Sequence, residues 1–548
     1  MNRQPFSRMT LVLALLAAGG LLAFVKLYDR AFPQASIDIK VSRTEAQTKA
    51  AQYLEQRSFR LAGYQTAAIF DADDAAAIYL QKTQGMERAN QLMRSEIPVW
   101  FWYCRWFKPL QKEEYRVNVS PSGAIVRFAR ELEEDRAGAN LEQAAARQIA
   151  EDFARTAGGV NLADYELVDS SSERRKNRTD HTFVWKKKNY LIGEGELRFQ
   201  VDIQGDTVAG LRHFLKVPEQ FVRDYDRQRS VGQLLTIISL GFMLILFILA
   251  LVIFVVRFKA NDIRWKFCVT SAVILLGLLL AGALNAIPLI KAGYPTKIGY
   301  GTFIGLAIAG VIVVAIVYGV FILLAGASGD ALTRDLYPRS IDTMTDLIKG
   351  RVATPGFAAA AVHGYLLAFL LVGFFTVFYL VGRRFFGIWL PAEGPYSNIL
   401  NTRFPFLYPL LVGFVAAITE EFTFRLFGIS LVRKYLKNTF LALLITAVIW
   451  AFGHSNYPVF PVYVRGIEVT IVGLVFGYFF IYYDLLTCLI AHYAVDALFV
   501  GLPLLRSTNR YFVISGVAVI AIGLLPLIPA FLGWRKPISP VGEPGTET

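Results

Sequence analysis

Charge is what this chain has little of. Asp, Glu, Lys and Arg make up 18% of its 548 residues, against about 25% in ordinary soluble domains. The shortage excludes a chain solvated throughout. The apolar residues, 55% of the total, gather instead into long uninterrupted runs. A bilayer core about 30 Å thick takes roughly 20 apolar helical residues to cross, and several runs reach that length. Cysteine is scarcer still. Cys104, Cys268 and Cys488 are the only three; they show no metal spacing and two lie inside apolar runs, which excludes a disulfide framework or a zinc knuckle. The net charge of +13 does not signal nucleic acid. Its Lys and Arg flank apolar runs, as in Arg257, Lys259, Arg264 and Lys266, or Arg433, Lys434 and Lys437. That is how cytoplasmic flanks look under the positive-inside rule.

What is present divides the chain. Arg3 and Arg8 precede an apolar run from Met9 to about Val25. Lys26, Tyr28, Asp29 and Arg30 follow where a cleavage site would need small residues, so residues 1–29 read as an uncleaved signal anchor. Residues 30–228 carry both charges and repeat one plan. A helix from Ser42 to about Gln56 leads to a Tyr115–Ser120 strand, a Pro121–Gly123 turn and an Ala124–Phe128 strand. A second helix to about Thr156 leads to Glu196–Ile203, a Gln204–Asp206 turn and Thr207–Leu211. Helix, then hairpin, is an α+β signature, and its layout resembles PepSY-type modules. His181 and His213 each stand alone there and read as solvated or hydrogen-bonded side chains, not ligands.

From about residue 229 the chain reads as membrane. Expected spans are 232–256, 266–288, 301–325, 358–381, 405–430, 439–454, 464–483, 486–503 and 512–533. With the anchor they make a polytopic all-α bundle of about ten spans carrying an inserted extracytoplasmic α+β domain. Membrane helices fill 229–403, with a cytoplasmic loop and surface helix near 326–355. A second group fills 404–534, and a disordered tail follows from 535. Counting crossings puts both termini and the Arg433–Lys437 loop in the cytoplasm, whereas Arg383 and Arg384 fall on the opposite side.

Ionisable groups inside spans are costly and by default mark function. Before Pro405 the runs hold few. After it come Glu420, Glu421, Arg425, His454, His492 and Asp496. Glu421 and Arg425 are four apart and pair on one helical face, whereas Glu420 is turned from Glu421 by about 100° and left without that partner. Trp450 and His454 share a face, so the indole walls one side of the imidazole. His492 and Asp496 lie one turn apart on another span. A structural ion pair accounts for Glu421 and Arg425, and each motif alone is weak. Three on separate helices of one bundle are not.

The motifs E-E-x-x-x-R (Glu420–Arg425), W-x-x-x-H (Trp450–His454) and H-x-x-x-D (His492–Asp496) resemble, in order and spacing, the CPBP family. That family groups CAAX proteases with bacteriocin-processing and self-immunity proteins. The likeness covers about 405–505 and implies an intramembrane endopeptidase. Glu420 would activate water and His454 help to hold it. His492 would stabilise the oxyanion, assisted by Asp496. Glu421, Arg425 and Trp450 would shape the site. Many members have Asn where Asp496 stands, and ionised Asp only accepts hydrogen bonds. Asp496 then orients His492, stays protonated, or belongs to a metal site.

Amide hydrolysis needs an activated water, a proton shuttle and an oxyanion stabiliser, and these motifs offer no Ser or Cys nucleophile. Glu420, His454 and His492 also make up the His₂Glu set of a catalytic zinc, so metal-free and Zn²⁺-dependent arrangements both stay open. Straight-helix counting puts His454 near the outer side and His492 nearer the cytoplasm, so one site requires tilted or broken spans. The expected partners are the lipid bilayer of a bacterial-type inner membrane and a protein or peptide substrate, C-terminal tails among the options, with no nucleic acid. The alternative is a catalytically silent member of the scaffold acting in self-immunity or partner binding. A proton-coupled transporter ranks last, because no second copy of the motifs marks an internal repeat.

Overall fold

The computed structural model describes residues 8–32, 39–156, 158–391 and 399–534. The expected disordered tail from 535, the first residues of the anchor and part of the 382–404 stretch lie outside them. Eight helical segments are long and apolar enough to cross a bilayer: Arg8–Ala31, Glu219–Lys259, Trp265–Asn285, Tyr300–Leu336, Pro355–Phe385, Tyr463–Tyr482, Leu485–Leu505 and Arg510–Trp534. Of the other two expected spans, one is a short helix and the other an irregular one. Thr439–Phe452 has 14 residues, about 21 Å at 1.5 Å per residue. The other runs as α-helix over Leu407–Glu420, widens to π-helix over Glu421–Ile429 and returns to α-helix over Ser430–Leu436. The bundle and its separate sheet domain are those expected.

The 326–355 stretch is not the surface loop that its polar residues suggested. The helix begun at Tyr300 continues to Leu336, and every residue from Leu324 to Thr333 is buried. Each polar group there has a partner. Ser328 Oγ donates to Ala250 O at 2.7 Å, Thr333 Oγ1 meets Leu426 O and Ser430 Oγ, and Asp330 holds Arg264 and Arg334. Small residues allow the approach. A Cβ on Gly329 would stand 2.8 Å from Leu426 Cγ and 3.0 Å from backbone of the π-segment. Beyond it Pro338–Ile341 and the helix Asp342–Ile348 lie under the 482–485 hairpin, where Thr343 Oγ1 donates to Asp484 Oδ2 at 2.7 Å.

The inserted domain is one antiparallel sheet: β1 (Gln65–Ala72), β2 (Trp100–Phe107), β3 (Glu114–Val119), β4 (Ile125–Glu131), β5 (Tyr165–Arg174), β6 (Thr179–Ile192), β7 (Gly195–Gln204) and β8 (Thr207–Lys216). Their order is β1-β2-β3-β4-β8-β7-β6-β5. Each half is a helix followed by four strands, and the final strands, β4 and β8, join the halves through Phe128↔Leu211 and its neighbours. The first helix, Arg43–Glu55, opens on a capping box between Ser42 and Glu45; the second is Gln143–Thr156. A further helix, Asp74–Ser95, interrupts the first half between β1 and β2. Of the lone histidines, His181 joins Ser172 Oγ at 2.8 Å and Leu141 O at 3.0 Å.

The sheet is tied to the bundle by its β1 edge. Phe70 N–H donates to Asn401 Oδ1 and Asn401 Nδ2 donates to Phe70 O, at 2.5 and 2.9 Å. Arg43 donates to Leu400 O and Thr402 O, and Arg105 to Ala292 O and Tyr294 O. If the Gly329 approach governs bundle packing, Gly329→Val lowers the thermal unfolding midpoint in detergent, by overpacking that costs about 1–3 kcal/mol. Gly310→Ala, on the same helix with nothing within 4 Å of an added Cβ, leaves the midpoint unchanged. Equal midpoints in the two variants would contradict the packing account.

Candidate active site

Glu420 ends an α-helix and Glu421 begins the π-segment. The wider turn lets both carboxylates face the bundle interior rather than lipid, and π-bulges of this kind recur at functional sites. Their surroundings then separate them. Glu421 is fully buried, whereas the Glu420 side chain is 24% exposed and that of Asp496 32%. Only the last two reach open space.

Glu421 is a holding group. Its Oε1 accepts from His492 Nδ1 at 2.7 Å and stands 3.2 Å from Arg425 Nη1. The Arg425 contact is an ion pair by distance but is not aligned as a hydrogen bond, and neither terminal nitrogen has a hydrogen-bond partner. The guanidinium lies instead between aromatic faces, 3.9 Å from the Trp450 ring centroid and 4.9 Å from that of Phe476, where cation–π attraction offsets part of its burial. A glycine admits the indole, since a Cβ on Gly473 would stand 2.7 Å from Ala447 Cβ and 3.1 Å from Trp450 Cε3.

Glu420, expected to lack a partner, has one. Trp450 Nε1 donates to its Oε2 at 2.5 Å. His454 Nε2 lies 3.9 Å from Oε1 and His492 Nε2 lies 3.7 Å from Oε2. These separations are too long for direct hydrogen bonds and suit groups that share a water or substrate atom. Both rings are oriented from behind. His454 Nδ1 sits 2.9 Å from Trp450 O, and a carbonyl only accepts, so Nδ1 carries the hydrogen and Nε2 faces Glu420. His492 Nδ1 is fixed by Glu421. Asp496 therefore does not orient that ring through Nδ1; its Oδ2 lies 3.6 Å from Nε2, on the open side.

The depth conflict between the two histidines resolves through the 482–485 hairpin. Glu420 is sixteen residues from Leu436 and His454 fifteen from Thr439, so both rise roughly 20 Å from that end, the nine π-helical residues rising less than the α-helical 1.5 Å each. His492 is only seven residues into its helix, a rise of about 10 Å. That helix starts high, because Asp484 is buried on Thr343 and caps Thr487 N at 2.8 Å. The misread 338–348 segment supplies the missing height.

A second ionic group went unread. Arg465 Nη1 donates to Glu468 Oε1 and Oε2 at 2.9 and 3.0 Å, Tyr379 OH also donates to Glu468, and Glu468 is wholly buried. Arg465 Cζ lies 5.1 Å from the Tyr457 ring, whose centroid is 5.8 Å from that of His454. The rule that found Glu420 applies equally to an Arg and a Glu three apart in the Tyr463–Tyr482 helix.

The donors do not fit zinc as they stand. Two ligands of a tetrahedral zinc bound at about 2.0–2.1 Å lie about 3.3 Å apart, closer than the 3.7 and 3.9 Å measured. Glu420 Oε2 is also committed to the indole N–H. Among the described residues no group of three or more His, Cys, Asp or Glu is arranged to hold a metal ion.

Residues 402–498 match the family described as type II CAAX prenyl endopeptidase Rce1-like. No curated protein and no solved structure matches the chain. The match assigns this segment to the CAAX-protease, or CPBP, family, as its motifs indicated; the PepSY likeness of 30–228 rests on layout alone. The geometry separates the paired glutamates in a testable way. Glu421→Ala strands a buried guanidinium and is expected to cost about 3–5 kcal/mol, read as a large fall in thermal midpoint. Glu420→Gln keeps an oxygen for Trp450 and is expected to unfold within about 0.5 kcal/mol of wild type. The reverse ranking would overturn the division of roles.

Proposed function

We propose that this protein is an intramembrane endopeptidase that hydrolyses peptide bonds of a membrane-associated protein or peptide with a water activated by Glu420. One observation carries the reading: Trp450 fixes the Glu420 carboxylate while two histidines, His454 just past the Thr439–Phe452 helix and His492 on the Leu485–Leu505 helix, turn Nε2 toward it. Glu420 takes a proton from the water, which His454 Nε2 holds as acceptor. The hydroxide adds to the carbonyl carbon, and charge develops on its oxygen. His492, its Nδ1–H held by Glu421, donates to that oxygen from Nε2–H as imidazolium. Glu420 then passes its proton to the leaving amine, the usual double duty of a general base. Asp496, its Oδ2 3.6 Å from His492 Nε2, balances the imidazolium by charge before substrate arrives and leaves Nε2–H free for the oxyanion.

The wide donor spacing favours the metal-free arrangement over a zinc site. The sheet domain belongs outside the cytoplasm on this reading. Arg257, Arg264, Arg334 and Lys434 cluster with Asp262, Asp330 and Asp335 at the bundle end away from the sheet, as cytoplasmic flanks do. Arg383 lies on the sheet side beside Arg30, the exception that the spacing of spans already implied. A bacterial-type inner membrane suits this arrangement.

Cleavage of a defined peptide library in lipid tests the proposal. Glu420→Gln, folded as wild type, should lose at least about 10³-fold in rate, and His492→Ala about 10²–10³-fold in kcat. Asp496→Asn should stay within about tenfold, because Asn both donates and accepts. A chelator should leave wild type unchanged. Chelator-sensitive cleavage would replace the metal-free mechanism with a metal-dependent one, and equal activity of wild type and Glu420→Gln would leave the silent-scaffold reading standing.

A further inference from the structure

The sheet aligns one row of polar side chains across its middle. Tyr103 on β2 opposes Asn118 on β3, which opposes Arg127 on β4; Arg127 opposes Arg212 on β8, and Arg212 opposes Gln200 on β7. Directly opposed residues of antiparallel strands project from the same face, so these five are successive neighbours, and the row crosses the seam between the two halves. Like charges directly opposite destabilise a strand pair, yet two arginines occupy the seam.

Nearby arginines on the sheet have carboxylates: Arg105 has Glu114, Arg116 has Glu114 and Glu131, and Arg198 has Glu196. Arg127 has no ion pair or hydrogen bond among the described residues. Arg212 has Asp73 as its one carboxylate among the described residues, at 3.7 Å, and lies 4.6 Å from the Phe214 ring centroid. Asp202, on the neighbouring row, acts on Arg127 through its charge but makes no ion pair with it, and its Oδ1 already accepts from Thr182 and Gln200 at 2.8 Å each. Burial first, then Arg212 and Arg116, hold the Arg127 guanidinium below its ordinary range against the smaller opposing effects of Tyr103 and Asp202, the direction expected of a cation whose counter-charge falls short. Independently, Asn118 is 3% exposed and its Oδ1 has no hydrogen-bond partner, a state that buried polar atoms rarely keep. The Tyr103 hydroxyl beside it has no hydrogen-bond partner among the described residues either.

We propose that this row is a binding site for a phosphate group, gripped by Arg127 and Arg212 and donating its P–O–H to Asn118 Oδ1. Two guanidinium forks from adjacent strands suit the several oxygens of a phosphate. A carboxylate lacks the donor that Asn118 requires, whereas hydrogen phosphate or a singly ionised phosphate monoester carries one. The group is either inorganic phosphate or the headgroup of a phosphomonoester lipid.

The full chain in phosphatidylcholine nanodiscs tests this by equilibrium dialysis against labelled inorganic phosphate. Thermal unfolding in phosphate and in chloride at equal ionic strength accompanies it, and a parallel set contains phosphatidic acid. Inorganic phosphate bound at one per chain, raising the midpoint by about 2 °C, supports the site with a free anion. A rise with phosphatidic acid alone supports it with a lipid headgroup. In either case Arg127→Gln and Arg212→Gln should abolish the effect and leave the midpoint in chloride equal or higher, since repulsion is relieved. No response to either probe overturns the proposal, as do variants that respond like wild type. A fall in the chloride midpoint of Arg127→Gln also overturns it, because that would make Arg127 a structural residue.

Discussion

The site depends on one buried carboxylate. Glu421 has no exposure and touches both a guanidinium and an imidazole. An isolated ion in so apolar an interior is costly; a paired one is tolerable only with good geometry and further hydrogen bonds. Those requirements fix other parts of the bundle. Arg425 needs the Trp450 and Phe476 faces, Trp450 needs the space left by Gly473, and the indole N–H is thereby aimed at Glu420. His492, held at Nδ1, has only Nε2 to present. The group that never meets open space thus sets the orientation of those that do.

Much of this was legible in the sequence, for a physical reason. A charge in a long apolar run is too expensive to be incidental, so Glu420, Glu421, Arg425, His454, His492 and Asp496 stand out without coordinates. The repeated helix-and-hairpin plan was legible too, because a half-buried strand alternates with period two. The capping box at Ser42 and the turns at 121–123 and 204–206 are local events. What failed was non-local. The stretch after Ala325 looks polar and flexible because Gly, Ser, Asp and Thr look so in any window. They are buried because each has a partner from another helix, Ala250, Arg264 or Leu426, far away in the chain. The Trp450–Glu420 hydrogen bond and the Glu421–His492 contact are likewise invisible until helices are placed side by side.

The two halves of the segment that carries the motifs meet at one level only because a third element intervenes. Glu420 and His454 reach their height by running most of a span from the same end. His492 would fall short by roughly 10 Å, the difference between rises of roughly 20 and 10 Å, if its helix began at the same surface. The Pro338–Ile348 stretch fills that space, and Asp484 on Thr343 makes a buried helix start tolerable. A segment outside the family's motifs thereby sets the registry of the motifs.

The sheet domain belongs to the same construction rather than hanging from a tether. An edge strand with unpaired N–H and C=O groups invites pairing with other chains. Here Asn401 meets the β1 edge with both ends of its amide, and Arg43 takes the carbonyls of Leu400 and Thr402 on either side. On the bundle side Asn285 holds the same stretch, accepting from Phe404 N at 2.7 Å and donating to Phe404 O at 3.1 Å. The chain enters the Glu420 helix three residues later, at Leu407. The lead-in to Glu420 therefore has backbone groups fixed by both domains. The contact that protects the sheet edge is also one that positions the helix carrying Glu420.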